Sequence, residues 1–247
     1  DSEIPYRAAV GCLNYLAITT RPDLAYIVSW LSKFVESPNM DHWEALKRVL
    51  RYLCGTNEVG IQFHRSGRAS ELRELIYSDS DWSGDLSSGR STTGVVSMLS
   101  SGAVLWTSKR QNSTAQSSSE AEYMALGTGV QDAIWMTEWL AEIGCEVKSS
   151  IAVYSDSSSA IAMSENPISR KAIRHVRVKY HLVRENVATG LIQIFQSKSS
   201  EMWADMLTKG SLSIQHFVKC REAAQGYCLD GRSGSVVIAL IGHSVED

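Results

Sequence analysis

The chain is short of the features that would make its purpose easy to read. It has five cysteines in 247 residues (Cys12, Cys54, Cys145, Cys220 and Cys228), an odd, scattered set with no Cys-x-x-Cys pair. That spacing argues against a zinc site and against a disulfide framework, so reduced thiols in an intracellular compartment are expected. No apolar run approaches the roughly 18 to 20 residues that cross a bilayer, and no signal-peptide pattern opens the chain, so no membrane partner is expected. An excess of one charge is also missing, because 24 basic and 27 acidic side chains leave a net charge of −3. Contact with a polyanion must then come from local basic clusters. Internal repeats and long low-complexity segments are absent. The remaining composition, 44% apolar and 21% charged, is ordinary for a globular protein. It suits one large domain, or a mid-sized domain with a helical appendage. The chain opens at Asp1 without a methionine, inside a helical pattern, and is expected to be a piece of something longer.

Three amphipathic helical patterns fill the first 63 residues. Tyr6 to Ile18 spaces Tyr6, Val10, Leu13 and Leu16 along one face. Thr20-Arg21-Pro22-Asp23 stops that helix and starts a second, Asp23 to Val35, with proline near its first turn. A third begins near Asp41, presents Trp43, Leu46, Val49, Leu50 and Leu53, and ends at Gly55. Lys47, Arg48 and Arg51 on it fit a solvated face or a phosphate contact. Gly60 to Phe63 is a short strand-like run, and His64 to Ser70 a polar linker. The boundary falls there, giving a helical segment over 1–68, an α/β domain over 69–222 and a divergent tail over 223–247.

Past the linker the period changes. Leu75-Ile76-Tyr77 runs into Asp79, Asp81, Gly84 and Asp85, the pattern of a short buried strand delivering carboxylates to a turn. Thr93 to Leu99 and Ala103 to Ser108, joined by Ser100-Ser-Gly102, complete an antiparallel meander. Ser117 to Glu122 resembles a capping box opening a long helix that ends at Gly144. Ile151 to Ser155 is a fourth strand, again ending in an aspartate, Asp156, and Ala160 to Ser164 a short helix. Leu191 to Gln196 is a fifth strand, and Ser200 to Thr208 a helix carrying Trp203 and Asp205. If the fourth strand joins the first by a right-handed helical crossover, Asp79 and Asp156 meet at the carboxyl edge of the sheet.

Four carboxylates stand out, Asp79, Glu122, Asp156 and Asp205. Carboxylates held close resist burial unless they share a cation or a proton, although an ordinary Asp/Ser/Gly turn also accounts for residues 79–85. Convergence without His or Cys selects a hard divalent cation, Mg²⁺ or Mn²⁺. Two such ions about 4 Å apart would clamp the attacking and leaving oxygens of a phosphodiester. The order matters as well: transposase-type enzymes place the Glu last, whereas here it lies between the first two aspartates.

Tyr77-Ser-Asp79-Ser-Asp81-Trp82-Ser-Gly84-Asp85, Arg90-Ser-Thr-Thr-Gly94, Trp106-Thr-Ser-Lys109-Arg-Gln111, Ser118-Ser-Glu120-Ala-Glu122-Tyr123, Tyr154-Ser-Asp156, His175-Val-Arg-Val-Lys-Tyr180-His181 and Ala204-Asp205-Met-Leu-Thr-Lys209 occur in that order. Together they resemble the ribonuclease H region of copia-type LTR retrotransposon Pol polyproteins. Tyr6 to Gly11, Thr20 to Asp23 and His42 to Leu53 resemble the end of the reverse transcriptase in such polyproteins. The resemblance implies an α/β, ribonuclease H-like fold, a mixed five-stranded sheet flanked by helices and preceded by a small all-helical segment. It implies cleavage of the RNA strand of RNA/DNA hybrids with two Mg²⁺ or Mn²⁺ ions held by Asp79, Glu122, Asp156 and Asp205. It further implies the upstream polymerase region of the same polyprotein as a partner, and a cytoplasmic virus-like particle as location. No Tyr-x-Asp-Asp polymerase motif is present, so the chain should not copy nucleic acid alone. Ser155-Asp156-Ser157 departs from the family's usual Cys-Asp-Asn, which removes an amide from the substrate side.

Beside such a site Arg90, Lys109, Arg174, Arg177 and Lys179 become candidates for phosphate contact, and Ser118 and Ser119 for ribose hydroxyls as well as a helix cap. His175 and His181 fit no zinc spacing. Trp82, Trp106, Trp135 and Trp139 are expected to pack rather than stack on bases. Two rival readings remain: a catalytically idle hybrid-binding or scaffolding module, which would be expected to have lost a carboxylate, and a transposase or integrase core, which the carboxylate order disfavours.

Overall fold

A computed structural model describes residues 5–63, 74–85, 87–145, 150–165 and 177–227. The linker, Arg174, His175 and nearly all of the tail lie outside the described residues.

The three expected helices form: α1 (Tyr6–Thr19), α2 (Ala25–Ser32) and α3 (Met40–Cys54). Asn39 starts α3 by a reciprocal cap, its side chain accepting the His42 amide at 2.9 Å while its own amide donates to His42 Nδ1 at 3.1 Å. The apolar faces read from the sequence close on one another, burying Tyr6, Leu13, Leu24, Leu31 and Leu46 in a core of their own.

The remainder is a mixed five-stranded sheet flanked by helices. Its strands are β1 (Glu74–Asp85), β2 (Arg90–Leu99), β3 (Gly102–Arg110), β4 (Ile151–Ser155) and β5 (Ile192–Gln196), in the order β3-β2-β1-β4-β5. The first three pair antiparallel, and β4 and β5 add parallel on the other side of β1. The helices between and after them are α4 (Ser118–Glu142), α5 (Ser158–Glu165), α6 (Arg177–Ala188) and α7 (Ile214–Ala224). One face of the sheet presents Ile76, Val95 and Val153 to α4 and α6. The other presents Val96, Met98, Leu75 and Tyr77 to α7 and to a 3₁₀ turn, Trp203–Leu207. Alternation along each strand sends neighbouring residues to opposite cores.

Three expectations need correction. Residues 60–63 are not a strand: the Gln62 amide donates to the carbonyl of Gln225 at 2.8 Å, tying an irregular segment to the end of α7. Ser200 to Thr208 is not one helix but two 3₁₀ turns, Ser199–Glu201 and Trp203–Leu207, with Met202 extended between them. Residues 202–207 are buried on every side, and a helix with one apolar face cannot achieve that. The opening strand does not stop at its carboxylates; β1 continues to Asp85 against β2. The helix α7, capped by Ser213 accepting the His216 amide at 3.3 Å, was not anticipated.

Among the described residues no helix is long and apolar enough to cross a membrane, and Cys12, Cys54, Cys145 and Cys220 are free thiols.

The helical segment is joined to the sheet domain by a buried polar network. Arg21 forks onto Asp23 (2.9 and 2.7 Å) and reaches the carbonyl and hydroxyl of Thr56. Asp23 also accepts from Tyr52 Oη at 2.6 Å and from Gln225 Nε2 at 3.1 Å, while Arg221 of α7 donates to Tyr52 at 3.2 Å. The Thr20-Arg-Pro-Asp23 stretch is thus the seam between the two units. Asp23→Ala leaves the buried Arg21 guanidinium without its counter-charge and should cost about 3 kcal/mol or more, measured as a lowered denaturant midpoint.

Candidate active site

The parallel ladder between β1 and β4 sets the centre. Its last pair is Tyr77 and Tyr154, whose rings stack 4.9 Å apart. Asp79 and Asp156 each follow two residues later, so the register carries both carboxylates to the same edge of the sheet. The third group comes from the first turns of α4. Ser117 caps that helix by accepting the Glu120 amide (3.2 Å), and the Glu120 carboxylate accepts the Gln116 amide (2.7 Å). With Glu120 turned back onto the cap, Glu122 faces the strands. One carboxylate oxygen from each of Asp79, Glu122 and Asp156 lies within 4.8 Å of the others.

Charge at this point is poorly compensated. Asp79 is 1% exposed, and burial pushes its carboxyl up to about 6, with Asp205 and Asp156 adding to the rise and Lys209 and Thr208 opposing it. Glu122 goes up to about 9, through burial first and then Asp79 and Asp156. Its Oε2 is buried and has no hydrogen-bond partner among the described residues. Three converging oxygen donors, one of them unpartnered, fit a hard divalent cation.

Asp79 is the most firmly held of the three. Its Oδ2 accepts from the Thr208 hydroxyl and its Oδ1 receives the Lys209 ammonium at 3.3 Å. Both partners follow the 3₁₀ turn Trp203–Leu207, which lies directly on β2 at Gly94, the residue paired with Asp79 in the β1–β2 register. A Cβ at Gly94 would come within 2.6 Å of Thr208 Cγ2 and 2.9 Å of Leu207 Cβ. Only a residue without a side chain lets the turn approach this closely.

Asp205 does not join the triad. Lys209 Nζ holds its Oδ1 at 2.5 Å and His216 Nε2 holds its Oδ2 at 2.8 Å. The converging group among the described residues is therefore Asp79, Glu122 and Asp156, with Asp205 beside it, engaged by cations of its own turn and of α7.

The remaining candidates divide. Ser118 is exposed, while Ser119 Oγ lies 2.8 Å from Ser159 Oγ, which in turn lies 3.0 Å from Ser157 Oγ, joining the starts of α4 and α5 beside Asp156. Arg90 is half-buried opposite Asp85, and Lys109 is exposed on the edge strand β3. The Lys179 ammonium turns inward to the Met124 carbonyl (2.9 Å) and the Thr128 hydroxyl (2.7 Å) of α4. Gly127 makes this possible, since a Cβ there would touch the Lys179 stem at 3.0 Å. Arg174 lies outside the described residues, as does the side chain of Arg177. Of the tryptophans, Trp106 is partly buried and donates to the Ala17 carbonyl at 2.6 Å, but Trp82, Trp135 and Trp139 are 52%, 50% and 42% exposed, against the expectation that they pack.

Sequence reasoning missed Thr208, Lys209 and His216. The first two stand in the quoted Ala204 to Lys209 motif, and the four-residue spacing of Asp205 and Lys209 was a usable signal. His216 had none, because only the packing of α7 brings it to Asp205.

No protein-family model matches the chain. It is 38% identical over 214 residues to the retrovirus-related Pol polyprotein from transposon RE2 of Arabidopsis thaliana, covering 86% of this chain and 14% of that one. It is 39% identical over 221 residues to the corresponding polyprotein from transposon TNT 1-94 of Nicotiana tabacum, covering 90% and 16%. A shorter match, 50% identical over 134 residues, covers 54% of this chain and 92% of the secreted RxLR effector protein 161 of Plasmopara viticola. The chain thus spans about one seventh of the length of the transposon polyproteins it matches. Among solved structures, LC11-RNase H1 in complex with an RNA/DNA hybrid aligns with a TM-score of 0.43 and 18% identity, covering 55% of this chain and 94% of that one.

Metal and proton binding at the triad should be linked. A carboxyl with a raised pKa in the folded state costs nothing below its ordinary pKa, and the penalty grows as pH rises towards the folded value. For Glu122 that window runs from pH 4.5 to about 9. Chelated protein should therefore lose thermal stability across this range, and Mg²⁺ should restore it. Calorimetric titration at neutral pH in buffers of different ionisation enthalpy should show proton release on Mg²⁺ or Mn²⁺ binding, diminished in Glu122→Gln.

Proposed function

Because the chain belongs to the family of retrovirus-related Pol polyproteins, with relatives in plant transposons, we propose that it hydrolyses the RNA strand of RNA/DNA hybrids as the ribonuclease H part of such a polyprotein. The observation that carries this reading is the convergence of Asp79, Glu122 and Asp156 within 4.8 Å. The polymerase region of the same polyprotein would be its covalent partner, and a hybrid its substrate. Retention of the full triad weighs against an idle scaffold.

In this reading Asp79, Glu122 and Asp156 hold Mg²⁺ or Mn²⁺. The ion would supply the positive charge that a phosphodiester needs as water attacks it. Asp79 acts as the rigid pivot, because Thr208 and Lys209 remove its freedom to rotate. Glu122 brings the least compensated oxygen, and its position depends on the Ser117–Glu120 cap that fixes the start of α4. Asp156, half-buried just past the end of β4, immediately precedes Ser157 of the serine row Ser119, Ser159 and Ser157. Those hydroxyls lie at the helix starts, where ribose hydroxyls or phosphate oxygens of a bound strand would find donors.

The test is cleavage of an end-labelled RNA/DNA hybrid by the chain with Mg²⁺, Mn²⁺ or EDTA, with duplex DNA as control. Metal-dependent cutting of the RNA strand alone is expected, lowered by orders of magnitude in Asp79→Asn and Asp156→Asn. Glu122→Gln should do more harm than Glu120→Gln, which touches only the helix cap. Tight hybrid binding without cutting, in every metal, would overturn the nuclease reading in favour of a binding module.

A further inference from the structure

Trp82 packs into no core. It sits in β1 three residues past Asp79, belongs to none of the three apolar clusters and is 52% exposed. Resting on the reading of RNA/DNA hybrids as substrate, we propose that Trp82 is a substrate-contact residue. Its exposed indole packs against the sugar and base edges of the strand lying beside the triad, and adds affinity rather than rate.

The backbone around Trp82 holds its ring outward. Between Asp81 and Asp85 the β1–β2 register slips, so that Trp82, Ser83 and Gly84 stand opposite Ser91 alone. A bulge of this kind bends a strand and re-aims its side chains. Among the described residues two that are not glycine have left-handed backbone, Ser83 at φ 57° and Ser100 at φ 61°. Ser100 turns the β2–β3 hairpin, whereas Ser83 forms the bulge, where the Ser91 hydroxyl accepts its amide at 3.1 Å. Such a conformation is unfavourable for serine and persists only where its surroundings enforce it. Alternation turns Asp79 towards the 3₁₀ turn Trp203–Leu207 and Trp82 towards the start of α4. There the indole N–H donates to the Ala115 carbonyl at 3.4 Å, two residues ahead of the Ser117 cap. Three residues of strand put the ring about 10 Å beyond Asp79, roughly three base steps on a bound strand. With its one donor engaged, the indole offers a flat apolar face and no hydrogen bond. That face suits the sugar and base surfaces of any sequence, as aromatic platforms for nucleic acid do.

Hybrids of graded length test this. A short ribonucleotide block in one strand fixes the cut, and the flanking duplex is shortened in steps on either side. Steady-state kinetics would be measured with Mg²⁺, and Kd for the same hybrids by fluorescence anisotropy in EDTA. Trp82→Ala should raise KM about tenfold, with kcat changed less than about threefold and Kd weakened to match. Trp82→Phe, which keeps an aromatic face, should recover most of the loss. The gap between wild type and Trp82→Ala should close once the duplex on one side is too short to reach the ring. Trp139→Ala, on the exposed face of α4 about 25 Å along the helix from Glu122, is the control and should match the wild type. Unchanged KM and Kd in a folded Trp82→Ala, a loss confined to kcat, or a loss that persists however short the duplex would each overturn the proposal. If the wild type neither binds nor cuts hybrids, the proposed function falls, and this inference with it. If the wild type cuts hybrids and Trp82→Ala matches it, only this inference falls.

Discussion

Burying like charges at one edge of a sheet is the condition on which the rest of this chain turns. Asp79 sits almost wholly out of solvent, one pairing step from Gly94 and two residues beyond the tyrosine pair that ends the parallel ladder. Carboxylates in such a place are unfavourable alone, since burial and mutual repulsion both favour protonation. The fold answers with cations and donors from elements far away in sequence: Thr208 and Lys209 after a 3₁₀ turn, and His216 on the helix behind it. Removing any of these supports leaves an uncompensated charge in the sheet, which is why site and stability are coupled here.

The helical segment bears on the same centre indirectly. The network of Arg21, Asp23, Tyr52, Arg221 and Gln225 ties it to α7. That helix also carries His216 and, through Cys220, touches the Met202 carbonyl at 3.6 Å. Trp106 of β3 reaches back to the end of α1, and Lys33, just past α2, lies 3.4 Å from Asp85, which Arg110 also pairs at 2.8 Å. Polar groups that are buried and satisfied specify one arrangement of the two units more sharply than apolar contact alone would. Whatever is attached through the helical segment would thus inherit a defined bearing on the carboxylate edge.

Much of this was legible in the chain itself. Short apolar runs marked β1 to β5, period-3.6 faces marked α1 to α4, and the apolar stretch before each aspartate marked where carboxylates would emerge. The hydrogen bonds of Ser117 and Gln116 hold Glu120 at the helix cap and leave Glu122 to face the strands. Failures came where burial overrode pattern. Residues 202–207 read as a helix but fold as 3₁₀ turns, because they are enclosed on all sides. Lys179 read as a surface cation, but the flat surface of α4 at Gly127 let its stem lie down and its ammonium turn inward.

The division has a physical basis. Local chemistry decided what one stretch of chain can decide: strands, helix starts, the acidic residue types and the order in which they occur. Only the tertiary structure decided which carboxylates meet. Asp79 and Asp156 were brought together by the register of a parallel ladder between strands more than seventy residues apart. Asp205 was held out of that group by a lysine four residues on and a histidine eleven residues on. The nearness of a cation to a buried carboxylate is a property of packing, and no periodicity in the sequence encodes it.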